Sequence, residues 1–229
     1  MVGRDDRACL PRPGITDTPM RTPALIRDDL DSALSVQLRS QTSSLHAQVE
    51  LLLGLPGAVR DRQDFCRLLR RFFGLYEPLE RSFRRFDEWD SLGIALGSRK
   101  HAPALSCDLS ALATDPCRVP RVPPGILPEL PTFPHALGAL YVLEGATLGG
   151  RVILAELEAR IGPQIAGATR FLNGRGAATG PMWTSFRGAL DCFGRARPEL
   201  RDDVLNGAED VFGAILAWFP SRDVEGRHP

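Results

Sequence analysis

The sequence predicts an all-α fold in a single domain. Over several long segments, apolar residues recur every three or four positions, which is the spacing of one face of an α-helix. Nowhere do apolar and polar residues alternate with the period of two that a half-buried strand needs. With 229 residues, of which 43% are hydrophobic, the chain can bury a core of its own. We expect a helical bundle over residues 28–220, with a flexible N-terminal tail (1–27) and a C-terminal tail (221–229).

The first helix is predicted over residues 28–54. Its apolar positions fall on one face and are Leu30, Leu34, Leu38, Leu45, Val49 and Leu52. Three aspartates at the start suit the positive end of the helix dipole. Gly54, followed by Pro56, ends the helix.

A second helix is predicted over residues 61–89, with Asp61 as its N-cap and a kink at Pro78. Its apolar face is aromatic and its other face is rich in arginine: Arg67, Arg70, Arg71, Arg81, Arg84 and Arg85. A solvated helix face explains these arginines better than a phosphate-binding stripe does.

The rest of the chain is predicted to be helical except for two connections. A proline-rich segment (116–134) is expected to be extended, and a segment rich in Gly and Ala (162–180) is expected to be a loop. The expected helices are a short one within 98–114 and three longer ones at 135–161, 181–195 and 199–219.

Composition excludes several classes of function. Basic and acidic residues balance at 28 each, which argues against a nucleic-acid binder that works through a net basic surface. The five cysteines show no C-x-x-C spacing, so we expect reduced thiols in a cytoplasmic protein rather than a zinc site or disulfides. The N-terminus lacks the apolar run of a signal peptide. The most apolar stretch, 136–143, is too short to span a membrane.

One histidine stands out on the first predicted helix. At about 100° per residue, Arg39, His46 and Glu50 lie within about 40° of one another, along one edge of the apolar face. Glu50 lies one turn beyond His46 and can accept a hydrogen bond from one imidazole nitrogen while the other nitrogen faces a metal. Such a histidine is more often a simple surface or core residue, and a glutamate at this spacing is common. From the residues alone, both interpretations stay open.

Four glycines interrupt the helix predicted at 135–161: Gly138, Gly145, Gly149 and Gly150. Each glycine inside a helix costs about 1 kcal/mol relative to alanine, so the group needs a reason. Close packing of two helices is one reason. Contact between bare backbone and a planar ligand, or a bend over that ligand, is another. Packing is the simpler explanation, but it does not need Gly150 in addition to Gly145 and Gly149.

Segments 38–50 and 141–153 together resemble the biliverdin-producing haem oxygenases, especially the bacterial branch often found with bacteriophytochromes. The resemblance implies a helical bundle that holds haem between a proximal helix and a kinked distal helix. It identifies the first segment with the proximal helix. His46 would then ligate the haem iron, Glu50 would be its acidic partner, and Arg39 would contact a haem propionate.

The second segment is similar to the distal helix of that family. Its implied catalytic elements are Gly145, Gly149 and Gly150, whose backbone would pack on the haem face. A third segment, 180–187, resembles the late helix that supplies a second basic contact to the propionates. The resemblance implies this role for Arg187.

The resemblance also implies an activity and its partners. Haem would be both cofactor and substrate, opened by O2 to biliverdin, carbon monoxide and ferrous iron. Electrons would come from a ferredoxin or a flavoprotein reductase, and a bacteriophytochrome would receive the biliverdin. Neither nucleic acid nor a membrane is an expected partner.

One departure from the family pattern opens further hypotheses. Many members carry an aspartate directly after the first distal glycine, where it organises water, but this chain has Ala146. Either Arg151 or Glu144 takes over that water network, or oxygen activation is weaker. Ala146 therefore motivates one alternative, a non-catalytic haem carrier or sensor on the same scaffold. The arginine face of the second helix motivates another, a helical interaction module.

Overall fold

The computed structural model describes residues 32–219 and confirms the all-α prediction. Residues 1–31 and 220–229 lie outside the described part. The two predicted tails, and the predicted helix start at residue 28, fall there. Within residues 32–219 every regular element is a helix.

Eight α-helices form in this part of the chain, joined by short 3-10 turns. In chain order they are α1 (Leu34–Gln41), α2 (Ser43–Leu53), α3 (Arg62–Ser82), α4 (Ala102–Ala111), α5 (Phe133–Ile165), α6 (Arg170–Asn173), α7 (Thr179–Ala196) and α8 (Arg201–Trp218).

The first predicted helix is two helices, α1 and α2, separated at Thr42. The Thr42 hydroxyl donates to the Leu38 carbonyl at 2.7 Å, which competes with regular helix geometry. The backbone N–H of His46 still donates to the Thr42 carbonyl at 2.8 Å, so the two helices follow one another closely. The predicted end is confirmed: Gly54 caps α2 in the left-handed conformation, with φ of 53°.

Helix α3 begins as predicted and ends earlier than predicted. The Asp61 side chain accepts a hydrogen bond from the N–H of Asp64, which is an N-cap. The helix stops at Ser82 instead of continuing to Trp89 because the chain folds back there. The Trp89 indole N–H donates to the Phe83 carbonyl at 3.0 Å, and its ring packs on Phe133. Burial of this large ring outweighs the helical pattern of the sequence.

Helix α5 has 33 residues and forms the centre of the bundle. It is long and apolar enough to cross a membrane, but 56% of its most apolar stretch is buried inside the protein. Its backbone departs from helical geometry at Ile161, with φ of −133°. The glycine segment keeps helical dihedrals, so the expected bend at the glycines is not where the helix breaks. Pro163 accounts for the break, because proline removes a donor and crowds the preceding turn.

The segment predicted as a loop, 162–180, is largely helical. Helix α5 continues to Ile165, α6 follows, and α7 starts at Thr179. Asp108 of α4 organises this region: its fully buried carboxylate accepts hydrogen bonds from the backbone N–H groups of Arg170 and Phe171. Asp108 thus caps the N-terminus of α6 from a distant part of the sequence, which the local sequence of α6 does not indicate.

Two glycines let α5 and α8 cross at close range. A Cβ atom at Gly138 would stand 1.8 Å from the Val204 carbonyl oxygen, and one at Gly207 would stand 2.1 Å from the His135 carbonyl oxygen. Both neighbours are backbone atoms of a packed helix, so they cannot move aside as a flexible side chain would. Gly138 is therefore a packing glycine.

We expect Gly207→Ala to lower the free energy of unfolding by about 3 kcal/mol or more, because the added methyl group forces the two helices apart. Gly213→Ala is the matched control on the same helix. It is exposed, and its Cβ would meet nothing within 4 Å, so its expected effect is a gain of up to about 1 kcal/mol. Urea unfolding of both variants measures the difference, and equal stability would contradict the close crossing.

Candidate functional site

His46 and Glu50 lie together on the surface of α2. The distance from His46 Nδ1 to Glu50 Oε1 is 3.5 Å, and the two side chains are 60% and 70% exposed. The imidazole ring also stands edge-on to Phe212 of α8, with 6.0 Å between ring centroids. Because Nδ1 faces Glu50, Nε2 is the nitrogen that is available to a ligand.

Arg39 and Arg187 come from distant parts of the sequence and both lie near Tyr141 of α5. Burial raises the pKa of the Tyr141 hydroxyl, and the positive charges of Arg39 and Arg187 act in the opposite direction. Both arginines are exposed. Three helices, α1, α5 and α7, thus bring two cations and a phenol to one region. Such a cluster suits a ligand with carboxylate groups.

The three glycines of the predicted distal segment do not share one environment. A Cβ at Gly149 would meet nothing within 4 Å, and one at Gly145 would make only ordinary contact with Trp183, at 3.7 Å. A Cβ at Gly150 would stand 2.6 Å from the carbonyl oxygen of Leu172. Close packing against the end of α6 therefore accounts for Gly150, on a different side of α5 from Gly145 and Gly149.

The side of α5 that carries Gly145 and Gly149 is open and apolar. Leu148 and Val152 lie on it and are 45% and 65% exposed, which is unusual for large aliphatic side chains. Together with Tyr141, these residues cover about 100° of the helical wheel. A surface that combines bare backbone with aliphatic side chains fits a flat apolar ligand, because no Cβ atoms hold that ligand away from the helix.

Tyr141 and Trp183 belong to this region, but sequence reasoning assigned no role to either. Their rings pack at 5.4 Å between centroids, and Trp183 lies beside Gly145. Both residues fall inside the segments on which the family resemblance rests. Their contact joins helices α5 and α7, which no local pattern indicates.

Ala146, the residue that replaces the family's aspartate, is exposed on α5. Its neighbour Glu144 is buried, and each of its carboxylate oxygens accepts a hydrogen bond from an arginine: Oε2 from Arg99 at 2.5 Å, and Oε1 from Arg175 at 2.9 Å. This pairing inside the protein argues against the hypothesis that Glu144 organises water in place of an aspartate.

The arginine face of α3 is largely engaged within the chain. Arg67 pairs with Asp64, and Arg81 pairs with Glu77. Arg71 stacks over Trp218 at 4.5 Å, and Arg85 donates to the Leu130 carbonyl. These intramolecular partners support the interpretation of a structural, solvated face over that of a docking module.

A separate cleft of about 370 Å³ lies between the end of α2, helix α3 and the end of α8. Leu53, Arg70 and Trp218 are among its lining residues, and none of the predicted site residues lines it. His46 and Gly149 are both exposed, so we place the candidate site by the chemistry of its residues and not by the depth of a cleft. Nowhere in residues 32–219 do three or more His, Cys, Asp or Glu side chains converge as a metal cluster. A metal that brings its own macrocycle needs only one protein ligand.

The fold is that of the haem oxygenases. Similar structures include the NO- and CO-bound haem oxygenase of Neisseria meningitidis, with a TM-score of 0.67 and 20% identity over 86% of this chain and 99% of that one. Haem oxygenase 2 of Chlamydomonas reinhardtii, without haem, matches with a TM-score of 0.62 and 16% identity over 83% and 99%. The haem oxygenase of Leptospira interrogans matches with a TM-score of 0.59 and 20% identity over 82% and 98%. No protein-family model and no curated protein sequence matches this chain.

Proposed function

We propose that this protein is a haem oxygenase that opens haem to biliverdin, carbon monoxide and ferrous iron, using O2 and electrons from an external reductase. The observation that carries the proposal is His46. Its Nδ1 faces Glu50, its Nε2 has no hydrogen-bond partner among residues 32–219, and the chain has the same fold as three haem oxygenases. Haem, when bound, supplies the oxygen chemistry, and the protein binds and orients the haem.

In this proposal His46 is the iron ligand through Nε2. Nδ1 lies 3.5 Å from the Glu50 carboxylate, so a hydrogen bond to Glu50 on haem binding would fix the tautomer and make Nε2 a better electron donor to the metal. The exposure of both side chains fits a site that is completed by a large ligand rather than by protein.

In the proposed arrangement, Gly145 and Gly149 would present bare backbone to the macrocycle. Leu148 and Val152 extend that contact with aliphatic groups and exclude water beside the ligand. Gly150 supports the surface from behind through its packing on Leu172 and does not itself touch the ligand. Arg39 and Arg187 hold the propionate edge as charged donors.

We expect Arg39→Ala and Arg187→Ala each to weaken hemin binding by about tenfold, which corresponds to about 1.4 kcal/mol. The modest size reflects the exposure of both side chains, because solvent screens an exposed ion pair. Each variant should also change the ratio of biliverdin isomers, since the propionate contacts fix the rotation of haem in its site. Arg84→Ala, an exposed arginine after α3, is the control. Unchanged affinity and isomer ratio in both site variants would refute the propionate assignment.

Three finer parts complete the proposal, and the first two of them rest on the sequence resemblance. The electron donor is a ferredoxin or a flavoprotein reductase, and the recipient of the biliverdin is a bacteriophytochrome. The protein works in the cytoplasm, in keeping with free cysteines and with a long apolar helix that lies inside the bundle.

A second candidate function is a non-catalytic haem carrier or sensor, which the exposed Ala146 favours. A methyl group offers no hydrogen bond with which to organise water beside bound oxygen. The carrier would bind haem through the same residues but would not open it.

One experiment separates the candidates. Hemin is added to the purified protein and the spectrum recorded, and then ascorbate or a reductase is added with catalase present. An oxygenase gives a 1:1 complex whose Soret band decays as a bilin band rises. A carrier gives the complex with a stable Soret band, and a protein without a haem function gives no complex.

A further inference from the structure

A buried charge cluster lies directly behind the glycine segment of α5. Glu144 is 1% exposed, and its two oxygens receive Arg99 and Arg175, which are 5% and 14% exposed. The ring nitrogen Nε2 of His101 lies 3.7 Å from Glu144, beyond hydrogen-bond distance. Burial alone raises the pKa of the Glu144 carboxyl. His101 and the charges of the two arginines lower it, and the net shift is downward. Given the 3.7 Å separation, we attribute that lowering to the arginines.

The cluster connects three segments of chain at one point. Arg99 ends the turn before α4, and both of its terminal nitrogens donate to the Met182 carbonyl of α7 at 3.4 Å. Arg175 precedes α7 and donates to the Ser98 carbonyl at 2.9 Å. Glu144 therefore ties α5 to α7 and to the chain between α3 and α4.

The point where these segments meet adjoins the open face of the candidate site. Gly145 follows Glu144 in sequence, and Trp183 follows Met182. Gly145 and Trp183 form one of the contacts between α5 and α7, with 3.7 Å from the Gly145 Cβ position to the Trp183 ring. The carboxylate and Arg99 are thus connected directly to the two residues that precede Gly145 and Trp183.

Stability alone does not explain this arrangement. Two guanidinium groups share one carboxylate below the protein surface, and the Nε–H of Arg99 is buried with no acceptor among residues 32–219. Apolar residues of similar volume would fill this space without desolvating charges. Directional hydrogen bonds, unlike apolar contacts, fix the position of one backbone segment against another.

We propose that Glu144, with Arg99 and Arg175, is a positioning residue that sets the spacing of Gly145 and Gly149 from the tetrapyrrole plane. This inference rests on the proposed function. In this arrangement, the position of the macrocycle depends on buried charged residues that do not contact the macrocycle.

The test compares Glu144→Gln with Asp64→Asn. Asp64 is a matched control, because it is also a buried carboxylate that bridges two arginines, Arg60 and Arg67, but on α3. Hydrogen exchange of the free protein is measured by mass spectrometry, followed by hemin titration. In Glu144→Gln we expect at least tenfold faster exchange over residues 145–150 and at least tenfold weaker hemin binding. Asp64→Asn should lower stability but leave both quantities as in wild type.

Arg175→Lys provides a milder variant, since it keeps a cation at the more exposed arginine. It should shift both quantities in the same direction as Glu144→Gln and alter the ferric spectrum. Equal exchange and equal hemin affinity in the Glu144 and Asp64 variants, with no response in Arg175→Lys, would overturn the positioning role. Failure of the wild-type protein to bind hemin would instead refute the proposed function, because the exchange measurement needs no haem.

Discussion

His46→Ala is expected to fold normally and to lose the histidine-ligated spectrum of the ferric haem complex. The side chain is 60% exposed and contacts Glu50 and the edge of Phe212, so the stability change should stay within about 0.5 kcal/mol. Without the imidazole, the iron has no protein ligand at this face, and bilin formation should fall by at least about a hundredfold, or about 2.7 kcal/mol in the barrier.

Two additions make this result specific. Free imidazole at millimolar concentration should restore the wild-type spectrum by filling the space left by the side chain. His135→Ala is the control, because His135 bonds to Thr132 at the start of α5 and has no predicted part in haem binding. A wild-type spectrum in His46→Ala would show that another residue ligates the iron.

Gly149→Ala and Gly150→Ala should have opposite effects on the protein without haem. The Gly149 position is open, so alanine there gains helix propensity and raises the free energy of unfolding by up to about 1 kcal/mol. At Gly150 the new methyl group would meet the Leu172 carbonyl oxygen at 2.6 Å, and we expect a loss of about 1–3 kcal/mol.

The two variants should rank in the opposite order for hemin affinity. The methyl group of Gly149→Ala projects from the face that is proposed to contact the macrocycle. Hemin affinity should therefore fall by about tenfold although the free protein is more stable. Gly150→Ala should retain wild-type hemin affinity in its folded fraction. Thermal unfolding and hemin titration of both variants measure the two effects. Unchanged hemin affinity in Gly149→Ala would mean that this face of α5 does not meet the ligand.

The parts of the fold that depend on local sequence were predictable. Asp61 as an N-cap and Gly54 as a left-handed C-cap are set by chemistry within one helical turn. The helix around residue 145 was also predicted, since its apolar pattern is strong enough to tolerate glycine. The spacing that places His46 next to Glu50 is a property of one helix, and the structure places the two side chains together.

The parts that depend on contacts between distant segments were not predictable. The early end of α3 follows from burial of Trp89, and α6 follows from a cap provided by Asp108, 62 residues away. The different environments of Gly149 and Gly150 depend on where Leu172 lies, which no pattern in α5 records. The sequence suggests Glu144 as a polar group near the ligand, but its partners Arg99 and Arg175 come from segments with no distinguishing sequence signal.

The position of iron in a crystal of the hemin complex tests the proposed arrangement most directly. Anomalous scattering locates the metal without reference to the protein coordinates. We expect it bonded to Nε2 of His46, with the macrocycle lying against Gly145 and Gly149. Iron bound to another side chain, or hemin in the cleft beside Arg70 and Trp218 with His46 free, would contradict the proposal.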